Sequence, residues 1–185
     1  MNAQTFRQLL EQFGTDILQS SGMQLEREFI QHGNVSVLEH SIHVAYLSLW
    51  LAYALRLEIN TRALLRGALL HDYFLYDWHI PDPSHRLHGF RHAKFALKNA
   101  MRDFSLGKTE CDIIARHMFP LNLTPPKYRE SILVCLADKI CAVCETMSSE
   151  WAKRRFQSRL ILTLIARQDP ALRMILTANS HAANF

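Results

Sequence analysis

Apolar residues recur at three- and four-residue intervals along almost the whole chain, and no stretch alternates apolar with polar residues. That period dictates helices and gives no strand to build a sheet from. The fold class it implies is all-α, a bundle of roughly eight helices with short ones included. The spacing predicts a helix over 5–18, with Phe6, Leu9, Leu10, Phe13 and Ile17 on one stripe. Gly22 interrupts, a second short helix runs to about His32, and His32-Gly33-Asn34 reads as a turn. A long helix from about Val35 to Arg56 is apolar almost all round, which makes it central. Asn60 or Thr61 caps the next helix, which ends near Asp72. Between Tyr73 and Arg91 the pattern breaks at Pro81, Pro83 and Gly89. A connection of that length in a compact chain is often a lid or a binding loop. Helical spacing returns over 92–104, 108–118, 127–147 and 158–167, and more weakly after Pro170.

Of the 185 residues, 49% are hydrophobic, enough for one sizeable core, and the length suits a single domain over 1–185. Its motif-bearing part covers about 34–146, with terminal helices over 1–32 and 148–185 expected to pack on it. Six glycines, six prolines and 21% charged residues exclude a collagen-like or largely disordered chain. The formal charge of +4 suits a small anionic ligand. The densest basic cluster, Lys153, Arg154, Arg155 and Arg159, reads as a solvated helix face, so nucleic acid is not an expected partner. The N-terminus has no signal-peptide core, and the longest uncharged stretch, Ser41 to Leu55, falls short of the ~20 residues of a membrane helix. Cys111, Cys135, Cys141 and Cys144 read as reduced core thiols, and the expected location is the cytoplasm. Cys141 and Cys144 form a CxxC inside a helical pattern with no second pair, a poor metal or redox signature.

Histidine is the anomaly. Six of the ten, His71, His79, His85, His88, His92 and His117, fall between positions 71 and 117, a density that directs attention to metal chemistry. His71-Asp72 closes a helix. His40 shares a face with Val37, Val44, Leu47 and Leu51, and Asp138 shares one with Val134, Cys135, Cys141 and Ala142. A carboxylate on an apolar face is costly unless a cation or strong donors meet it. An arginine partner would serve for Asp138 alone, and simple packing for His40 alone. Taken together, two imidazoles and two carboxylates form a ligand set suited to Fe, Mn, Zn, Ni or Co.

This pattern resembles the HD superfamily of metal-dependent phosphohydrolases. Val37-Leu-Glu-His40-Ser-Ile-His-Val-Ala looks like the helix of its first histidine. Leu69-Leu-His71-Asp72 looks like its namesake motif, and Leu136-Ala-Asp138-Lys139 like its terminal aspartate. Gly-Phe-Arg-His92, Ala-Arg-His117-Met-Phe-Pro120 and the Pro-Asp-Pro-Ser-His-Arg loop are similar to a bacterial subgroup of HD-domain phosphohydrolases. The resemblance implies an HD-type helical bundle holding two divalent ions. His40, His71 and Asp138 would hold one, His92 and His117 the second, and Asp72 would bridge, with His71 and Asp72 as the catalytic pair. His88, four residues before His92, is a rival ligand or a substrate contact. His43, one turn from His40, reads as packing or as support for the ligands. Cyclic-dinucleotide phosphodiesterases of the related HD-GYP group carry a lysine three residues after the His-Asp pair and a Gly-Tyr-Pro signature. Here the position is Leu75, and no Gly-Tyr-Pro follows His117, which speaks against cyclic di-GMP as substrate.

A phosphate needs cationic donors. Arg86, Arg91 and Lys94 flank His88 and His92 and are the expected substrate-binding residues beside His88. Arg116 and Lys139 are further candidates, and Trp78, Tyr73, Tyr76 and Phe90 could stack on a base or sugar. The expected activity is hydrolysis of a small phosphate ester, possible nucleotides included, by a metal-activated water. The same six ligands would also serve a di-iron oxygenase, or a regulatory module that binds metal without catalysis. The sequence is compatible with a homo-oligomer and names no partner protein.

Overall fold

In the computed structural model, residues 1–147 are described. The helices expected over 158–167 and after Pro170, and the basic cluster from Lys153 to Arg159, lie outside them. The described chain forms eight α-helices and a two-stranded hairpin. They are α1 (Ala3–Phe13), α2 (Thr15–Leu18), α3 (Ser21–Leu25), β1 (Ile30–His32), β2 (Val35–Ser36), α4 (Val37–Ala54), α5 (Thr61–Leu70), α6 (His88–Asp103), α7 (Lys108–Arg116) and α8 (Arg129–Thr146).

α4 is the axis of the bundle. Ser36 caps it, accepting from the Glu39 N–H while the Glu39 carboxylate accepts from the Ser36 N–H, so two orphan amides of the first turn are met. Apolar residues on all its sides let it pack against α5 and α8 at once, and α7 closes the bundle against α5 and α8. Buried Leu64, Leu65, Leu69, Ile113 and Ile114 fill the space between them. No helix among the described residues is long and apolar enough to cross a membrane.

Three local expectations are corrected. The helix expected over 5–18 breaks at Gly14, which ends α1 and precedes α2. A β-carbon at Gly14 would stand 2.9 Å from Leu69 Cδ1, so the break brings the backbone against α5. The helix expected to reach His32 stops at Leu25, and Ile30–His32 pairs antiparallel with Val35–Ser36 around Gly33, whose φ is +60°. Strands of two and three residues are too short to show alternation in a sequence. Finally, α6 begins at His88, four residues earlier than expected. Leu87 precedes it in the left-handed region, and a single 3-10 turn over Pro83–His85 orders part of the preceding loop.

Candidate metal centre

Five helices deliver the six expected ligands to one buried point. His40 comes from α4, His71 and Asp72 from the end of α5, His92 from the first turns of α6, His117 from the end of α7 and Asp138 from α8. All six are buried. Two of these placements follow from how helices end. The last carbonyls of a helix lack intrahelical partners. His71 Nδ1 donates to Ala68 O at 2.7 Å and His117 Nδ1 to Ile114 O at 2.9 Å. His92 Nδ1 donates to His88 O at 3.0 Å, and His40 Nδ1 bonds Glu145 Oε2 at 2.7 Å. Each ring therefore directs an Nδ1–H outward and leaves its Nε2 facing inward.

The inward atoms meet around Asp72. Asp72 Oδ2 lies 3.4 Å from His71 Nε2 and 3.9 Å from His40 Nε2. Asp72 Oδ1 lies 3.2 Å from His92 Nε2 and 3.3 Å from His117 Nε2. Asp138 Oδ1 is 3.2 Å from His40 Nε2 and 3.7 Å from His71 Nε2. Two potential metal-holding groups thus share one carboxylate: His40, His71 and Asp72 on one side, and Asp72, His92 and His117 on the other. His71 Nε2 and Asp72 Oδ1 are buried with no hydrogen-bond partner, an arrangement costing about 1–3 kcal/mol per group unless something fills it. A borderline divalent cation matches this imidazole and carboxylate donor set.

A cavity of about 760 Å³ opens onto Asp72, His92, His117 and Asp138, with Trp78, Met118, Leu121 and Lys139 among its walls. His88 also lines it but is not among the groups that could hold a metal. Its Nδ1 is bonded to the Tyr76 hydroxyl at 2.8 Å, and its ring lies stacked between Trp78 and His92. Burial lowers its pKa to about 4, so it is neutral at pH 7. The structure places the Nε2 of His92, rather than a nitrogen of His88, among the groups around Asp72 that could hold a metal.

Arg86, Arg91 and Lys94 are not brought to this cavity; all three are exposed. Because α6 starts at His88, His88 and His92 share a face. At about 100° per residue Arg91 and Lys94 turn away from it, into a separate groove with Phe95 and Lys98. Arg86 borders the outer loop near Ile80. Arg116 is held by Asp112 at 2.6 Å and Pro125 O at 2.7 Å. Lys139 is the lysine at the cavity wall, and its Nζ donates to His117 O at 2.7 Å.

A family model described as the HD domain matches residues 37–143, more than half of the chain and a span that includes all six converging residues. The chain belongs to the HD-domain family. That family marks a superfamily of metal-dependent phosphohydrolases whose domains bind divalent metals. No curated protein and no solved structure matches the chain significantly.

Two residues outside the matched span complete this HD domain's centre, and sequence reasoning missed both. Glu145 accepts from His40 Nδ1 through Oε2 and from His43 Nδ1 through Oε1 at 2.9 Å. Glu145 lies two helical turns after Asp138 on the same face, a spacing that could have revealed it. Gln31 Nε2 donates to Asp72 Oδ2 at 2.5 Å from strand β1, and nothing in its local sequence signals that contact. His32, passed over in the sequence, lies edge-on to the His40 ring at 5.4 Å.

Charge balance within the HD site favours the carboxylates. Burial opposes ionisation of Asp72, but the imidazoles of His71, His117 and His92 outweigh it and hold the carboxyl well below its ordinary range. Asp138 is lowered in the same way, against its burial, by His40 and His71. Burial also works against Glu145, and His40 beside it still brings its pKa down to about 2. The thiols of Cys141 and Cys144 are pushed up by burial, and both are free, as expected of core cysteines.

Proposed function

We propose that this HD domain hydrolyses a small phosphate ester at a pair of divalent ions. His40, His71 and Asp138 would hold one ion, His92 and His117 the other, and Asp72 would offer one oxygen to each. The observation that carries the reading is the division of Asp72: Oδ2 faces the His40 and His71 nitrogens, and Oδ1 faces those of His92 and His117.

When bound, two such cations lower the pKa of water and offset the charge that develops on the phosphoryl oxygens. The chain's own residues do the rest. Nδ1 hydrogen bonds lock four imidazoles in the one tautomer that can ligate. Lys139 places an ammonium at the cavity wall, where a phosphate oxygen is held by charge. Trp78, Met118 and Leu121 give the ester group an apolar wall and exclude water. Neutral His88 presents a polar edge between Trp78 and His92 without carrying charge.

The reading is tested by incubating the manganese-loaded protein with a panel of phosphate monoesters, diesters and nucleotides and following phosphate release. Turnover of at least one class, abolished in Asp72→Ala, supports it. Substrate-dependent oxygen uptake by an iron-loaded protein, with no phosphate release, replaces it by oxygenase chemistry.

A further inference from the structure

We propose that Gln31 is a positioning residue for the Asp72 carboxylate, and that the β1–β2 hairpin is built to carry it there. The inference rests on the metal-centre reading above but needs no particular reaction.

Gln31 lies outside residues 37–143, so the family match assigns it nothing. Its side chain is buried, and its amide spans 41 positions of sequence to reach Asp72 Oδ2. The other half of the amide is informative. Gln31 Oε1 is buried without a partner. A side chain placed only for packing would be replaceable by an apolar one. Here the amide leaves an acceptor unmet and keeps its donor on Asp72. The orientation is forced, because turning the amide over would set Oε1 against the carboxylate.

The contact also selects which face of Asp72 is restrained. Gln31 engages Oδ2, the oxygen near His40 and His71, and leaves Oδ1 with no hydrogen bond beside His92 and His117. Fixing Oδ2 in this way fixes the carboxylate plane, and with it the direction in which Oδ1 faces the second pair of histidines.

The hairpin has few ways to move. Gly33 turns it at φ +60°, and a β-carbon there would stand 2.6 Å from Glu145 O, so the turn is seated against the end of α8. His32 rests its ring edge-on against His40. The segment that delivers Gln31 is therefore keyed to α4 and α8, which carry His40 and Asp138.

The test is a calorimetric titration of manganese(II) into metal-stripped wild type, Gln31→Met and Gln31→Asn. Thermal unfolding of the three metal-stripped proteins is measured alongside. Met keeps the length without a donor, and Asn keeps the amide but is one methylene short. The expected result is a loss of manganese affinity on the order of tenfold in both variants. Metal-free unfolding midpoints should stay close to wild type. If the protein turns over a phosphate ester, kcat falls in both variants and KM does not. Wild-type affinity in either folded variant overturns the proposal. So does an affinity loss found only where the metal-free midpoint also falls. Should Gln31→Met fail to fold, Gln31→Asn decides alone. Because the titration uses manganese without substrate, failure of the hydrolase reading would leave its result standing.

Discussion

His92 Nε2 lies 2.8 Å from His117 Nε2. Both rings already donate Nδ1–H to a backbone carbonyl, so each turns its Nε2 toward the other. Two lone pairs at that distance repel unless a proton or a cation stands between them. Asp72 Oδ1, 3.2 and 3.3 Å from the two nitrogens, adds an anion to the same space. The backbone thus holds in place a group of atoms that are mutually unfavourable without a positive charge.

That arrangement separates His92 from His88 by experiment. His92→Ala removes an inward nitrogen and should lower metal content by about one ion per chain. His88→Phe preserves the stacking on Trp78 and His92 and should leave metal content unchanged. Its effect should fall on KM, because the ring lines the cavity. Metal analysis of the two purified variants checks this. Loss of metal in His88→Phe with none in His92→Ala would reverse the assignment.

Glu145→Gln tests the support beneath His40. The carboxylate accepts from both His40 and His43, and an amide oxygen can replace only one of those bonds. Metal affinity should fall by roughly 10- to 100-fold, the usual effect of losing a partner behind a ligating imidazole. A metal titration of wild type and variant measures it. Equal affinities would show that Glu145 serves packing alone.

Glu26 should make stability fall as the pH rises. It is buried, and its carboxyl is pushed up to about 8, chiefly by burial, although Leu75 N–H donates to it. The folded state holds this proton more tightly than the unfolded chain. The stability it contributes is therefore fully present below about pH 4.5 and is lost as the pH rises toward 8. Glu26→Gln keeps the Leu75 bond and removes the charge. Urea unfolding of metal-stripped proteins should show the variant gaining on wild type between pH 5 and pH 8. The gain at pH 8 should be on the order of 4 kcal/mol. A difference that does not change with pH would contradict the assignment.

Much of this centre was legible in the sequence, for physical reasons. Charge on an apolar helix face is expensive, so His40 and Asp138 stood out against their neighbours. Histidines at helix ends can bond the last free carbonyls, and His71 and His117 occupy that position. The long central helix was visible because α4 buries nearly its whole circumference. The substrate side was less legible. Arg86, Arg91 and Lys94 were chosen by nearness in sequence to His88 and His92. The start of α6 at His88 sets the face each residue takes, and it hung on a left-handed Leu87 that no propensity would suggest. Gln31 was hidden for a different reason. Its role depends on a contact made across the fold by a strand three residues long.

The central claim is that Asp72 joins two metal positions. It is tested most directly by counting metal ions in freshly purified wild type, His117→Ala and Asp72→Ala, with folding checked by circular dichroism. The account predicts about two ions per chain in wild type, about one in His117→Ala and almost none in Asp72→Ala. A wild-type protein that binds one ion or none, or an Asp72→Ala variant that keeps its metal, would contradict it.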